Sequence, residues 1–378
     1  LQGDLQKDVG FAANGQRFAV GVAGQQGLGV SRLAIEAELR RRVRALPGVR
    51  LRDGVDVVAP ELDATRRRVA AVRLIDRLSG VGETLTADLV LDCSGRGSRT
   101  PAWLESWGFA RPAEERVEIG ICYASAYFRR EGRWALGEGI DIAALICTAT
   151  NELRRPGVMI AQEPGADGVP RWVVGLGGYA GDHPAGSFEG LRERARQIGS
   201  PELVALTHEA TPIGEPMRYQ FPYSLRRHYE RLARFPERYL VLGDAQTSFN
   251  PIYGQGMTVA ACEALALRDA LAPGLDGLHR RYFRAAARVI DIPWQLAVGG
   301  DLAIDSVPGP RPLPVRIVNA YVRRLYRRAP HDPVVTRAFL QVVHMIKDPP
   351  SLFAPRILAR VLFGRNPPAA ARPTPRLA

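Results

Sequence analysis

The chain has 378 residues, of which 46% are hydrophobic and 24% charged, with a formal net charge of +12. That length allows two packed domains, the composition is globular rather than fibrous, and no apolar run is long enough to span a bilayer. Almost all of the positive charge is Arg, with Lys only at Lys7 and Lys347; without a basic helix interleaved with stacking aromatics or a zinc-finger spacing, nucleic-acid binding is not expected.

Residues 9–30, "VGFAANGQRFAVGVAGQQGLGV", are Gly-rich. Ser31 is placed to cap a helix over 32–46, where Ile35, Leu39, Val43 and Leu46 share one face and arginines cover the other. Pro47-Gly48 ends it. Residues 49–62 and 66–80 then alternate as strands do, and "ETLTADLVLDCSG" (83–95) finishes in a buried-type run, Leu89 to Leu91. From 112 to 232 the pattern is of strands ("VEIGICYASAYF", "RPGVMIAQE", "RWVVGLGGYAG") with a helical stretch near 187–209. Tyr239 to Leu242 form an apolar run into Gly243-Asp244, and a loop with Gly254-Gln255-Gly256 leads into a long Ala/Leu-rich helix. Residues 275–345 read as mostly helical, and the Pro- and Arg-rich tail after Lys347 is expected to fray. Four segments are expected: 1–111, 112–232, 233–300 and 301–378.

Chemistry concentrates at two places. Asp244, just past a buried strand, can accept hydrogen bonds from a chain of sugar-like hydroxyls. Gly254 and Gly256 let backbone amides approach a ligand, and the helix that starts there aims its positive end at the same point. A ligand with hydroxyls and an oxygen that becomes anionic suits that pair. The second place is "ADLVLDCSGRGSRT" (87–100), a strand running into Asp92 and a Ser/Gly turn with Arg96 and Arg99. The six histidines form no metal-ligand spacing, so no metal site is expected. Cys93, Cys122, Cys147 and Cys262 lack paired spacing and read as buried, reduced thiols of a cytoplasmic protein.

The phrase "YLVLGDAQTSFNPIYGQGMTVAACEALAL" has the order and spacing of the GD segment of FAD-dependent oxidoreductases of the p-hydroxybenzoate hydroxylase type, which it strongly resembles. The 87–100 phrase resembles the middle motif of the same superfamily. Its Ser94-Gly95, standing where an Asp-Gly pair is usual, is closer to flavin halogenases, geranylgeranyl reductases and squalene epoxidases. Arg32 occupies the place of a helix-start Arg that lies near FAD in the family. The resemblance therefore implies FAD contacts from Arg32, Asp92, Gly95, Gly243, Asp244, Pro251, Gly254, Gln255, Gly256 and Met257, and it names no catalytic acid or base. The opening GxGxxG strand–turn–helix is not found, so roughly 80–100 residues of a full flavoprotein look absent, of which the βαβ unit takes about 30.

The fold so implied is an α/β, p-hydroxybenzoate-hydroxylase-like FAD-binding domain lacking its N-terminal βαβ. An inserted antiparallel β-rich substrate domain and a helical C-terminal region complete it. The implied activity is that of an FAD-dependent monooxygenase, with NAD(P)H as reductant and a flavin C4a-hydroperoxide oxygenating an apolar or aromatic small molecule. A flavin reductase of isoprenoid double bonds and a truncated, non-catalytic remnant are the alternatives. The basic amphipathic stretch 313–328 adds an expected weak, peripheral membrane contact.

Overall fold

The computed structural model describes residues 2–130 and 142–364. In chain order its elements begin with β1 (Gln2–Asp4), β2 (Val9–Ala13), β3 (Gln16–Arg17), β4 (Gln26–Leu28) and α1 (Arg32–Arg44). Next come β5 (Val55–Leu62), β6 (Val69–Asp76), β7 (Gly82–Thr86), β8 (Val90–Asp92) and α2 (Thr100–Ser106). The β-rich stretch holds β9 (Glu114–Arg129), β10 (Ala144–Thr148), β11 (Gly157–Gln162), β12 (Arg171–Gly178), α3 (Phe188–Ile198), α4 (Pro201–Glu209) and β13 (Pro212–Arg227). The chain continues through β14 (Tyr239–Val241), β15 (Thr247–Ser248), α5 (Gly256–Leu271), α6 (Leu278–Asp301), α7 (Leu313–Arg328), α8 (Pro333–Val343) and α9 (Pro355–Phe363). Among the described residues no helix is long and apolar enough to cross a membrane.

Two compact units share these elements. The first comprises Leu1–Arg40, Glu118–Pro222 and Gly299–Ala378; the second comprises Arg41–Val117 and Tyr223–Val298.

In the first unit a mixed sheet runs in the order β13-β9-β12-β11-β10-β2-β3. From β9 to β3 its pairs are antiparallel apart from β10 with β2. Strict alternation sends Trp172, Val174 and Leu176 of β12 and Ala124, Ala126 and Phe128 of β9 to one face. There they meet Leu191, Ala195, Ile198, Leu203 and Leu206 of α3 and α4 in the main core. The two helices are separated by Gly199, whose φ of +73° ends α3, and by Ser200, which caps α4. The opposite face, with Tyr123, Ser125, Tyr127, Val173 and Gly175, is half-buried.

The second unit holds the meander β5-β6-β7 and a parallel pair, β8 with β14. The pair is in register from Tyr239 opposite Val90 to Val241 opposite Asp92. Under it Phe235 stacks on Tyr239 at 5.9 Å and meets Phe283 of α6 edge-on at 4.9 Å. The Val90 amide donates to Arg238 O and the Leu242 amide to Asp92 O, both at 3.0 Å. The N–H and C=O of Leu91 therefore point to the other edge of β8, and its side chain is 41% exposed.

Three expectations need correction. Helix α1 forms where expected, yet none of its residues is fully buried: Ile35 is half-buried, and Leu39 and Val43 are exposed. The run Leu89 to Leu91 is not fully buried, because among the described residues only β14 pairs with β8. The tail expected to fray after Lys347 instead forms a 3-10 turn over Pro349–Phe353 and then α9, anchored by Leu352 and Val361 in the core. Residues 365–378 lie outside the described part.

Candidate functional site

Pairing of β8 with β14 brings together two phrases about 150 residues apart in the chain. Their carboxyl ends, Asp92 and Val241, are opposite one another, so the 93–99 turn and the 243–256 loop leave the same end of the parallel pair. In open parallel sheets ligands bind at that end. Buried Arg227 ties the two together. Its guanidinium donates to Ala245 O at 2.8 Å and to Arg96 O at 3.2 Å, and pairs with Glu114 at 3.1 Å.

Asp92 is buried and spends both carboxylate oxygens within its own turn. The hydroxyls of Ser94, Ser98 and Thr100 each donate to it at 2.5 Å, and the Ser94 amide at 2.9 Å. Burial pushes this carboxyl up, but the donors outweigh burial and hold it below the usual range. Gly95 turns the chain at φ +80°, and a Cβ there would meet nothing within 4 Å. Asp92 thus braces a turn whose glycine is open.

Gly243 sits at φ +61°, a conformation that favours glycine, and Asp244 follows it with an exposed carboxylate. Buried Asn250 accepts the Ile252 amide at 3.2 Å and so starts the short turn at Pro251, itself exposed. Gly254, at φ +66°, closes that turn. Helix α5 begins at Gly256, and its first internal bond is Val259 N–H to Gln255 O at 3.0 Å. The amides of Gly256, Met257 and Thr258 thus precede the helical ladder. No acidic residue occupies the first turn. A Cβ on Gly256 would stand 3.9 Å from Asp244 Oδ1, and one on Gly254 would meet nothing within 4 Å. An acceptor and a positive helix end therefore lie close together, with the bare Cα of Gly256 between them.

Sequence reasoning missed Glu263. Two turns into α5, this carboxyl is 1% exposed and accepts the Gly243 amide at 2.9 Å, holding the turn that presents Asp244. Its other oxygen has no hydrogen-bond partner among the described residues. Burial first, and the neighbouring Asp244 charge second, push it up to about 8, against the Gly243 hydrogen bond that lowers it. An acid on a helix face otherwise formed by Val259, Leu267 and Ala270 was the available signal.

Of the ten expected cofactor residues, nine lie in the second unit, within the 92–95 turn and the 243–257 loop. Arg32 belongs to the first unit, at the exposed start of α1, where it pairs with Glu36 at 2.9 Å.

The donor set fits the ribitol and ring half of a flavin. Asp244 offers a carboxylate to hydroxyls, the α5 amides offer donors to an anionic edge, and Ile252 and Met257 supply exposed apolar surface. Gln246 Oε1 and Thr247 Oγ1, buried in the same loop, also lack hydrogen-bond partners among the described residues.

No family model matches the chain. Protein Rv3254 of Mycobacterium tuberculosis is 34% identical over 322 residues, covering 82% of this chain. The chain spans 65% of that relative's length. Among solved structures, the flavin-dependent brominase Bmp2 superposes with a TM-score of 0.61 at 16% identity, over 89% of this chain and 76% of its own. Xcc4156, a flavin-dependent halogenase from Xanthomonas campestris, gives 0.50 at 16% identity, over 86% and 64%. The chain therefore shares the α/β fold of these flavin-dependent enzymes, the class of fold its sequence led one to expect.

Proposed function

We propose that the chain is the flavin-ring-holding part of an FAD-dependent monooxygenase acting on an apolar or aromatic small molecule, with NAD(P)H as reductant. The observation that carries this reading is the juxtaposition of the Asp244 carboxylate with the α5 N-terminus, across the bare Cα of Gly256. When bound, the flavin supplies the redox chemistry, passing electrons from the nicotinamide to O2.

The residues' own work is positioning and electrostatics. Asp244 accepts hydrogen bonds from the ribitol hydroxyls. The amides from Gly254 to Met257 stabilise negative charge on the ring edge, as an oxyanion hole does. Pro251 shapes the wall beside the ring. Glu263 holds Gly243, and Arg227 keeps the 93–99 turn against the loop. Exposed Ile252 and Met257 beside the loop support an apolar or aromatic substrate.

The brominase and halogenase activities of the fold neighbours are not carried over. The tryptophan-rich WxWxIP signature is absent, and "DIPW" at 291–294 does not replace it. The Ser94-Gly95 turn favours, as a second reading, a flavin reductase of isoprenoid double bonds.

The test is flavin titration followed by turnover. Wild-type protein is expected to quench flavin fluorescence, and Asp244→Ala to weaken binding about 10- to 100-fold, the loss of a charge-assisted hydrogen bond. NADPH oxidation that requires O2 supports the monooxygenase, and oxidation that proceeds without O2 supports the reductase. Wild-type protein that leaves flavin fluorescence unchanged sinks both.

A further inference from the structure

Positive charge is not spread along this chain. Residues 306–378 hold thirteen Lys and Arg against two acids, Asp332 and Asp348, a balance of +11 out of +12. The preceding 305 residues are nearly neutral, with 38 basic and 37 acidic side chains. Asp332 is not available to offset the excess, because it is buried between Arg328 at 3.1 Å and Arg360 at 2.9 Å.

Apolar side chains are exposed in the same region, and three elements bring them together. On α7, Leu313 and Ile317 are one turn apart and 66% and 58% exposed, with Val318 beside them. Tyr321, the next turn along from Ile317, donates its hydroxyl to Leu352 O at 2.6 Å and packs its ring 4.7 Å from exposed Phe353. Arg324 donates to the carbonyls of Val361 and Leu362 at 3.2 and 2.6 Å, which brings the end of α9, with Phe363 81% exposed, alongside α7. Exposed Arg316, Arg323, Arg327 and Arg356 stand on the same elements.

Scattered exposed apolar residues are ordinary; clustered ones among like charges are not. We propose that α7, the 349–353 turn and α9 form a docking surface for an anionic lipid bilayer, the apolar ridge entering the headgroup region while the arginines meet lipid phosphates. Charge complementarity selects this occupant. A second copy of the chain would set Arg316, Arg323, Arg327 and Arg356 against the same four arginines, and a nucleic acid would match the charge while leaving the ridge in water. Basic residues near an anionic leaflet and buried apolar area both add to such binding.

Co-sedimentation of the full chain with vesicles tests this without flavin, so its failure is separate from that of the enzymatic reading. Phosphatidylcholine vesicles with about one third phosphatidylglycerol are expected to retain the protein, and pure phosphatidylcholine vesicles to release it. Arg316→Gln/Arg323→Gln should lower the partition coefficient roughly tenfold or more, and salt at about 1 M should act the same way. Ile317→Ser/Phe363→Ser should also lower it severalfold. All four positions are exposed, so circular dichroism should be unchanged in both variants. Protein left in the supernatant with anionic vesicles overturns the proposal. So does vesicle binding indifferent to the apolar variant, retention on duplex DNA in place of vesicles, or a dimer in light scattering that the apolar variant dissolves.

Discussion

Glu263 joins α5 to the turn it supports, and its burial makes that joint sensitive to pH. Because its folded value, about 8, lies above the ordinary 4.5, the folded chain binds more protons than the unfolded chain between the two. Its stabilising contribution is complete below the ordinary value and is lost as pH rises through about 8. Glu263→Gln keeps an acceptor for the Gly243 amide and cannot ionise. Denaturant midpoints of the variant should therefore overtake those of wild type between about pH 5 and about pH 9; parallel pH profiles would show that this carboxyl does not titrate as described. Arg227 poses a different case, since three acceptors share one planar guanidinium. Arg227→Ala is expected to cost about 1.5–3 kcal/mol in urea unfolding. Arg227→Lys should recover little of that, because one ammonium cannot span three directions. Neither residue was singled out from the sequence. Asp244, Gly254 and Gly256 were, because a carboxylate after a buried strand and glycines before a helix carry local meaning, whereas Glu263 and Arg227 act on residues 18 and more positions away.

At the scale of elements, legibility followed local chemistry. The sheet of the first unit was readable because its strands alternate, whereas α3 and α4 were read as one helical stretch near 187–209, which Gly199 and the capping Ser200 divide. Ser187 accepts the Gly190 amide at 3.1 Å, so Ser187→Ala should destabilise by about 1 kcal/mol in thermal unfolding. Trp172→Ala, which empties the centre of the core, should cost about 3–5 kcal/mol by the same measurement. A loss below about 1 kcal/mol there would mean that the helices do not pack as described. What the pattern misjudged were the neighbours of an element. The apolar stripe of α1 and the run ending at Leu91 have the sequence of covered surfaces, but coverage depends on a partner elsewhere. The segment 349–363 failed in the other direction: Pro349, Pro350 and Pro355 read as breakers, yet each stands in the first turn of its helix, where a missing amide costs nothing.

For the molecule as a whole, flavin binding and stability are linked. A ligand taken up only by the folded chain stabilises it by about 2.7 kcal/mol at a hundredfold excess over Kd. Riboflavin and FAD are each expected to raise the melting temperature of the wild-type chain, and to similar extents at matched saturation, because the residues identified serve the ribitol and ring. A shift with neither would contradict the site. By itself the sequence determined the class of fold, the order of strands and helices, and the two short phrases that carry the site's glycines and carboxylates, since periodicity, caps and turns are set by residues a few positions apart. Only the tertiary structure decided that those phrases leave the same end of one parallel pair, that Arg227 and Glu263 hold them there, and that Leu39, Val43 and Leu91 are exposed. Those outcomes depend on contacts between distant parts of the chain, which no local pattern encodes.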